Sequence, residues 1–186
     1  MRFSHDMPTH RFTADDVMRM VDVGVLDEDA PVELIDGELI VMSPQGPRHA
    51  HTLLLLRSVL CQAYGALRVR EEKPIRLNAY SLPEPDLCVT VRNGGAFVDA
   101  HPTAADCVLV MEAAHSSQRA DRRKAALYAA GGVPEYWLVD LIDQTVTVYA
   151  DPATDGYRLV RVHRDDEPIP LPGLDAMMTV DSILPR

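Results

Sequence analysis

The chain has 186 residues, 47% hydrophobic and 25% charged, a balance that suits a folded domain and excludes a disordered or low-complexity segment. The best candidate for a membrane span, Leu53-Leu54-Leu55-Leu56, is broken at once by Arg57 and Ser58, so no stretch crosses a bilayer. A net charge of −10 weighs against a protein that presents a uniformly basic face to a polyanion.

One domain over residues 1–186 suits this length, because a chain of this size buries a core without staples. The opening MRFSHDMPTHRFTADD holds no apolar leader core, so a cytoplasmic protein is expected. Cys61, Cys88 and Cys107 are odd in number, far apart and set in apolar stretches. That pattern fits neither a disulfide framework nor a zinc clip, and buried, reduced thiols are expected.

In chain order, Thr13 with Asp16 three residues on predicts a capped helix start, followed by Val17, Met20 and Val21 at helical spacing. VELIDGELIVM, residues 32–42, predicts a hairpin, since two β-type runs flank Asp36-Gly37, a pair that tolerates positive φ. Residues 43–47 (SPQGP) read as a loop, and Leu53, Leu56, Leu60 and Tyr64 predict a helix over 49–67. Residues 68–77 partly alternate and suggest a strand that Pro74 pushes to a sheet edge. The stiff Leu82-Pro83-Glu84-Pro85 leads into a strand over 86–91, and the apolar run CVLVM, 107–111, predicts a central strand. Helix formers fill 118–130 before a Gly131-Gly132 stop. Strands follow at 135–139, 145–149 and 157–162, and a Pro-rich tail is expected to wrap and end in a short element around 177–183. The sum is an α/β (α+β) chain: a mixed central β-sheet flanked by helices.

Three acids fall near predicted strand ends: Asp86 after Pro85, Glu112 after CVLVM, and Glu33 on the first hairpin arm. An acid at the end of a buried apolar strand is costly unless solvated, hydrogen-bonded or bound to a cation. Two such acids on neighbouring strands offer hard oxygen ligands suited to Mg²⁺, which takes a couple of carboxylates with water and phosphate oxygens. Lys124, on the following helix, can reach the same cleft and stabilise charge on a phosphate. Taken singly, each has a plainer reading: a Pro-Asp turn, a solvated strand-end glutamate and a surface lysine. Basic residues gather at Arg68, Arg70, Lys73 and Arg76, and again at Arg119, Arg122, Arg123 and Lys124, which offsets part of the negative charge locally.

The blocks FTADDV, VELIDGELIVMSPQGPRH, EPDLCV, LVMEAAHSS, DRRKAALYAAGGVPEYWLVD and LPGLDAMMTVDSIL carry a resemblance across roughly residues 12–184. Together the chain resembles the Uma-two family, placed among restriction endonucleases of the PD-(D/E)XK nuclease superfamily. That resemblance implies a restriction-endonuclease-like core with extra antiparallel hairpins. It implies Asp86 and Glu112 as metal ligands, the backbone carbonyl of Ala113 as a further ligand, and Glu33 as an additional acid. The superfamily lysine stands two residues after the second acid, where this chain has Ala114; the matching lysine here is Lys124, four residues before Tyr128. His49 matches a histidine after the Ser-Pro loop and either meets phosphate or water, or makes a structural bond. His115, where relatives carry other residues, reads as a loop histidine or a nitrogen ligand. Tyr128, Tyr136 and Trp137 read as packing residues by their spacing.

The implied chemistry is hydrolysis of phosphodiester bonds in nucleic acid, with DNA favoured, using Mg²⁺ or Mn²⁺. Two rivals remain open: a catalytically silent nuclease-fold protein that binds nucleic acid or a partner, and a metal-dependent hydrolase of a smaller phosphoester. Endonucleases that cut both strands commonly act as two copies, so a homodimer is one expected assembly.

Overall fold

The computed structural model describes residues 9–114 and 118–184. The first helix, α1 (Ala14–Asp22), begins on the reciprocal cap its sequence predicts: Asp16 N–H donates to Thr13 Oγ1 at 3.1 Å, and Thr13 N–H donates to Asp16 Oδ2 at 2.8 Å. Ala14 and Val17 bury one face of α1 against Leu34 and Leu82. Strands β1 (Val32–Ile35) and β2 (Glu38–Val41) form the expected hairpin, with Asp36 and Gly37 at φ 52° and 85°. A side chain at Gly37 would meet Arg11 Cβ at 2.7 Å, so both conformation and space require glycine. Along β1, Leu34 packs toward α1 while its neighbour Glu33 turns the other way. Leu82 N–H donates to Leu34 O at 2.8 Å, which ties the hairpin to the extended segment before Asp86.

The second helix, α2 (Pro47–Tyr64), starts two residues before the predicted one, with Pro47 in its first turn, where a missing N–H costs nothing. It buries Leu53, Leu56, Leu60 and Tyr64 on the main sheet. That sheet has the order β3-β4-β5-β6-β7-β8, formed by Val69–Glu71, Leu87–Thr90, Cys107–Ala114, Glu135–Asp140, Thr145–Ala153 and Gly156–Arg164. Only β5 and β6 run parallel; the other pairs are antiparallel. The parallel pair needs a crossover, supplied by α3 (Gln118–Gly131).

Because side chains alternate along β5, Leu109, Met111 and Ala113 join the core under α2, while Val110 joins Ala125 and Tyr128 of α3 on the opposite face. The tail pairs β9 (Pro168–Pro170) with β10 (Met177–Thr179) and closes the α2 side with Ile169, Met178, Val180 and Ile183. The mixed sheet, flanking helices and extra hairpins match the fold class expected from the sequence.

Two local expectations change. The strand expected over 68–77 shrinks to the three residues of β3, because Glu72 turns at φ 48° and Pro74 follows; the chain then leaves the sheet and buries Ile75 elsewhere. Cys88 and Cys107 are buried thiols 3.5 Å apart, but Cys61 is only half-buried.

Candidate active site

The site forms where β4 begins late beside β5. The β4–β5 ladder ends at the Leu87–Met111 pair, which leaves Ala113 beyond its last paired residue. Asp86 fills the gap with its side chain: Ala113 N–H donates to Asp86 Oδ2 at 2.7 Å. On a strand the carbonyl of a residue points to the same edge as its N–H, so Ala113 O faces this opening too. His49, in the first turn of α2, places Nε2 3.1 Å from the same Asp86 oxygen. That bond to Asp86 holds the His49 pKa above its usual value, against the opposing effect of burial.

Glu112 lies inside β5 and not at its end, as its place after the apolar run suggested. It points to the α3 face and is 8% exposed. Two donors from α3 meet its Oε1: Lys124 Nζ at 2.9 Å and the Tyr128 hydroxyl at 2.8 Å. Burial pushes the Glu112 carboxyl up to about 7, helped by Asp86 and Glu33 and opposed by Lys124. Lys124 also approaches Glu33 Oε1 at 3.3 Å. Burial alone would lower the lysine, but Glu112 and Glu33 outweigh it and hold the ammonium above the usual lysine value. Glu33 is 6% exposed, and its Oε2 accepts from Glu84 N–H at 3.4 Å. Burial raises the Glu84 carboxyl, with Glu33 and Glu72 adding to the effect.

Asp86, Glu112, Ala113, Glu33, Lys124 and His49 thus line one cleft of about 810 Å³. Every site residue expected from the sequence, apart from His115, reaches it; His115, with Ser116 and Ser117, lies outside the described residues. Tyr128 is buried, as a packing residue should be, yet its hydroxyl belongs to the site. The signal was in the sequence: Lys124 and Tyr128 are four apart, so they share a helix face. Glu84, the acid before Pro85, also lines the cleft and was not singled out from the sequence.

Among the described residues, no three His, Cys, Asp or Glu side chains form a metal-binding group by themselves. The donor chemistry nonetheless fits a hard divalent cation. Among the described residues, the hydrogen bonds to Asp86 fall on Oδ2 and those to Glu112 on Oε1, which leaves Asp86 Oδ1 and Glu112 Oε2 as the second oxygen of each carboxylate. Mg²⁺ is commonly held by one or two carboxylates, with waters and substrate phosphate completing the shell, so an all-protein cage is not required. Burial is the main cause of the raised Glu112 pKa, with Asp86 and Glu33 adding to it, and Glu112 and Glu33 share the one Lys124 ammonium.

Comparison with known proteins agrees with this architecture. Residues 15–181 match a family model, Uma2, described as "Putative restriction endonuclease". A crystal structure from Anabaena variabilis, described as "a putative nuclease belonging to DUF820", superposes with a TM-score of 0.73. That match covers 92% of this chain and 97% of the other at 21% identity. No curated protein matches the chain significantly.

Proposed function

Since the chain belongs to the Uma2 family of restriction-endonuclease-like proteins, we propose that it is a divalent-metal-dependent nuclease that hydrolyses phosphodiester bonds in nucleic acid, DNA first. The observation that carries this reading is the joint anchoring of two acids: Ala113 N–H fixes Asp86 while the adjacent Glu112 is held by Lys124.

In this reading Asp86 Oδ1, Glu112 Oε2 and the Ala113 carbonyl hold Mg²⁺ or Mn²⁺, and Glu33 adds negative charge behind them. A cation bound there supplies Lewis acidity toward water and a phosphodiester. His49 and the Ala113 N–H orient Asp86 so that one oxygen stays presented. Lys124 remains protonated across the working pH range, so it serves as a positive charge and hydrogen-bond donor toward phosphate rather than as a general base.

The test is Mn²⁺ titration and plasmid cleavage with wild type and Asp86→Ala. The expected result is Mn²⁺ binding and cleavage by wild type, with both lost in the variant. Equal Mn²⁺ binding by the two proteins sinks the reading.

One observation favours a second reading, hydrolysis of a smaller phosphoester. Asp27, Glu28, Asp29 and Glu72 also line the cleft, against Lys73 and Lys124, and this lining disfavours a long polyanion. Turnover of bis(p-nitrophenyl) phosphate by a metal-loaded protein that leaves plasmid and RNA intact would select it.

A further inference from the structure

Glu112 Oε1 receives two donors from one helix face, and they differ in freedom. Lys124 is 29% exposed at its side chain, faces the cleft and divides its ammonium between Glu112 and Glu33. Tyr128 is fully buried, with its ring packed on Tyr136 at a centroid distance of 4.9 Å. Tyr136 packs in turn on Tyr149 at 5.5 Å, and Tyr149 on Tyr157 at 5.9 Å, a row of rings running from α3 across β6, β7 and β8. A long flexible amine can swing toward a phosphate; a ring locked in this row cannot follow it.

We propose that Tyr128 is a positioning residue of the site: its hydroxyl pins Glu112 Oε1, keeps Oε2 turned toward a divalent cation, and maintains that grip when Lys124 leaves Glu112 for a phosphate oxygen. The inference rests on the nuclease reading and adds to it a second tier of residue. A glutamate side chain has three rotatable bonds, the last of which turns the carboxylate itself, and one departing lysine would leave it free to turn. The phenol removes that freedom. A phenol has one O–H to donate, and here it points at Glu112 Oε1 from 2.8 Å. If Tyr128 served packing alone, phenylalanine would replace it without consequence at the metal, because the ring fills the same space.

Tyr128→Phe is therefore compared with Tyr157→Phe, which removes a similar bond (Tyr157 O–H to Val133 O, 2.9 Å) from the far end of the same row. Urea midpoints in EDTA, Mn²⁺ affinity, and kcat and KM on an oligonucleotide are measured for both. Tyr128→Phe should match Tyr157→Phe in metal-free stability and weaken Mn²⁺ binding about 10–100-fold, the usual cost of losing a partner that orients a ligand. At saturating Mn²⁺ its kcat should fall with KM unchanged, while Tyr157→Phe keeps wild-type values. If wild type binds Mn²⁺ and Tyr128→Phe binds it equally well, or if Tyr128→Phe unfolds in EDTA where Tyr157→Phe does not, this inference alone is overturned. A wild type that binds no Mn²⁺ overturns the nuclease reading and this inference with it.

Discussion

Lowering the pH from about 8 to about 6 should weaken Mn²⁺ binding roughly tenfold, because the cation and a proton compete for Glu112. Burial, Asp86 and Glu33 together place the Glu112 carboxyl at about 7. A ligand that must lose one proton binds with an apparent Kd proportional to 1 + 10^(pKa − pH), which is about 1.1 at pH 8 and about 11 at pH 6. His49, whose pKa is also raised and which touches Asp86, pushes in the same direction, since its charged form repels a cation. A His49→Gln background isolates Glu112. Isothermal titration calorimetry at three pH values, in buffers of different ionisation enthalpy, gives both the affinity and the proton count. About half a proton should leave near pH 7 in that background. Binding that is flat from pH 6 to 8 with no proton release would refute the argument that Glu112 is a ligand held near neutrality. The linked effect on folding has a definite sign. A carboxyl raised from its usual 4.5 to about 7 retains its proton in the folded state while the unfolded chain loses it. Metal-free stability therefore falls as pH rises between those values and levels off above. The loss is at most about 3 kcal/mol, the figure set by the full shift, in which the attraction of Lys124 is already included.

Two further outcomes follow from the packing. Lys124→Met leaves Glu112 and Glu33 buried without their shared ammonium and should cost about 2–4 kcal/mol near pH 8 by urea denaturation. The loss should shrink near pH 5, where Glu112 is neutral; an equal loss at both pH values would mean that the lysine acts through its stem and not its charge. Gly37→Ala places a side chain at φ 85° and 2.7 Å from Arg11 Cβ, so thermal unfolding should report a loss of about 1–2 kcal/mol. Since β1 carries Glu33, the substitution should also loosen the salt bridge to Lys124, detectable as a change in the NMR signal of its ammonium.

Much of this molecule is written in residues close together along the chain. The Thr13–Asp16 cap, the Asp36-Gly37 turn, the leucine spacing of α2 and the glycine stop after α3 act over three or four residues, so pattern alone specifies them. The acids could be picked out as candidates, and the resemblance to a known family ranked them, but spacing could not say which way Glu112 points. That depends on the register of β5 with β4 and β6, which decides that an acid inside a buried strand meets α3 and that Ala113 passes the end of β4. The break in the ladder there is the reason Asp86 has a backbone donor at all. Likewise the Lys124–Tyr128 spacing was visible along the chain, but whether that helix face met the core alone or a carboxylate was settled by where α3 lies across the sheet. Short-range hydrogen bonds and side-chain periodicity suffice for the elements; the convergence of groups far apart in sequence is a property of strand pairing, whose register is fixed only when all the layers pack together.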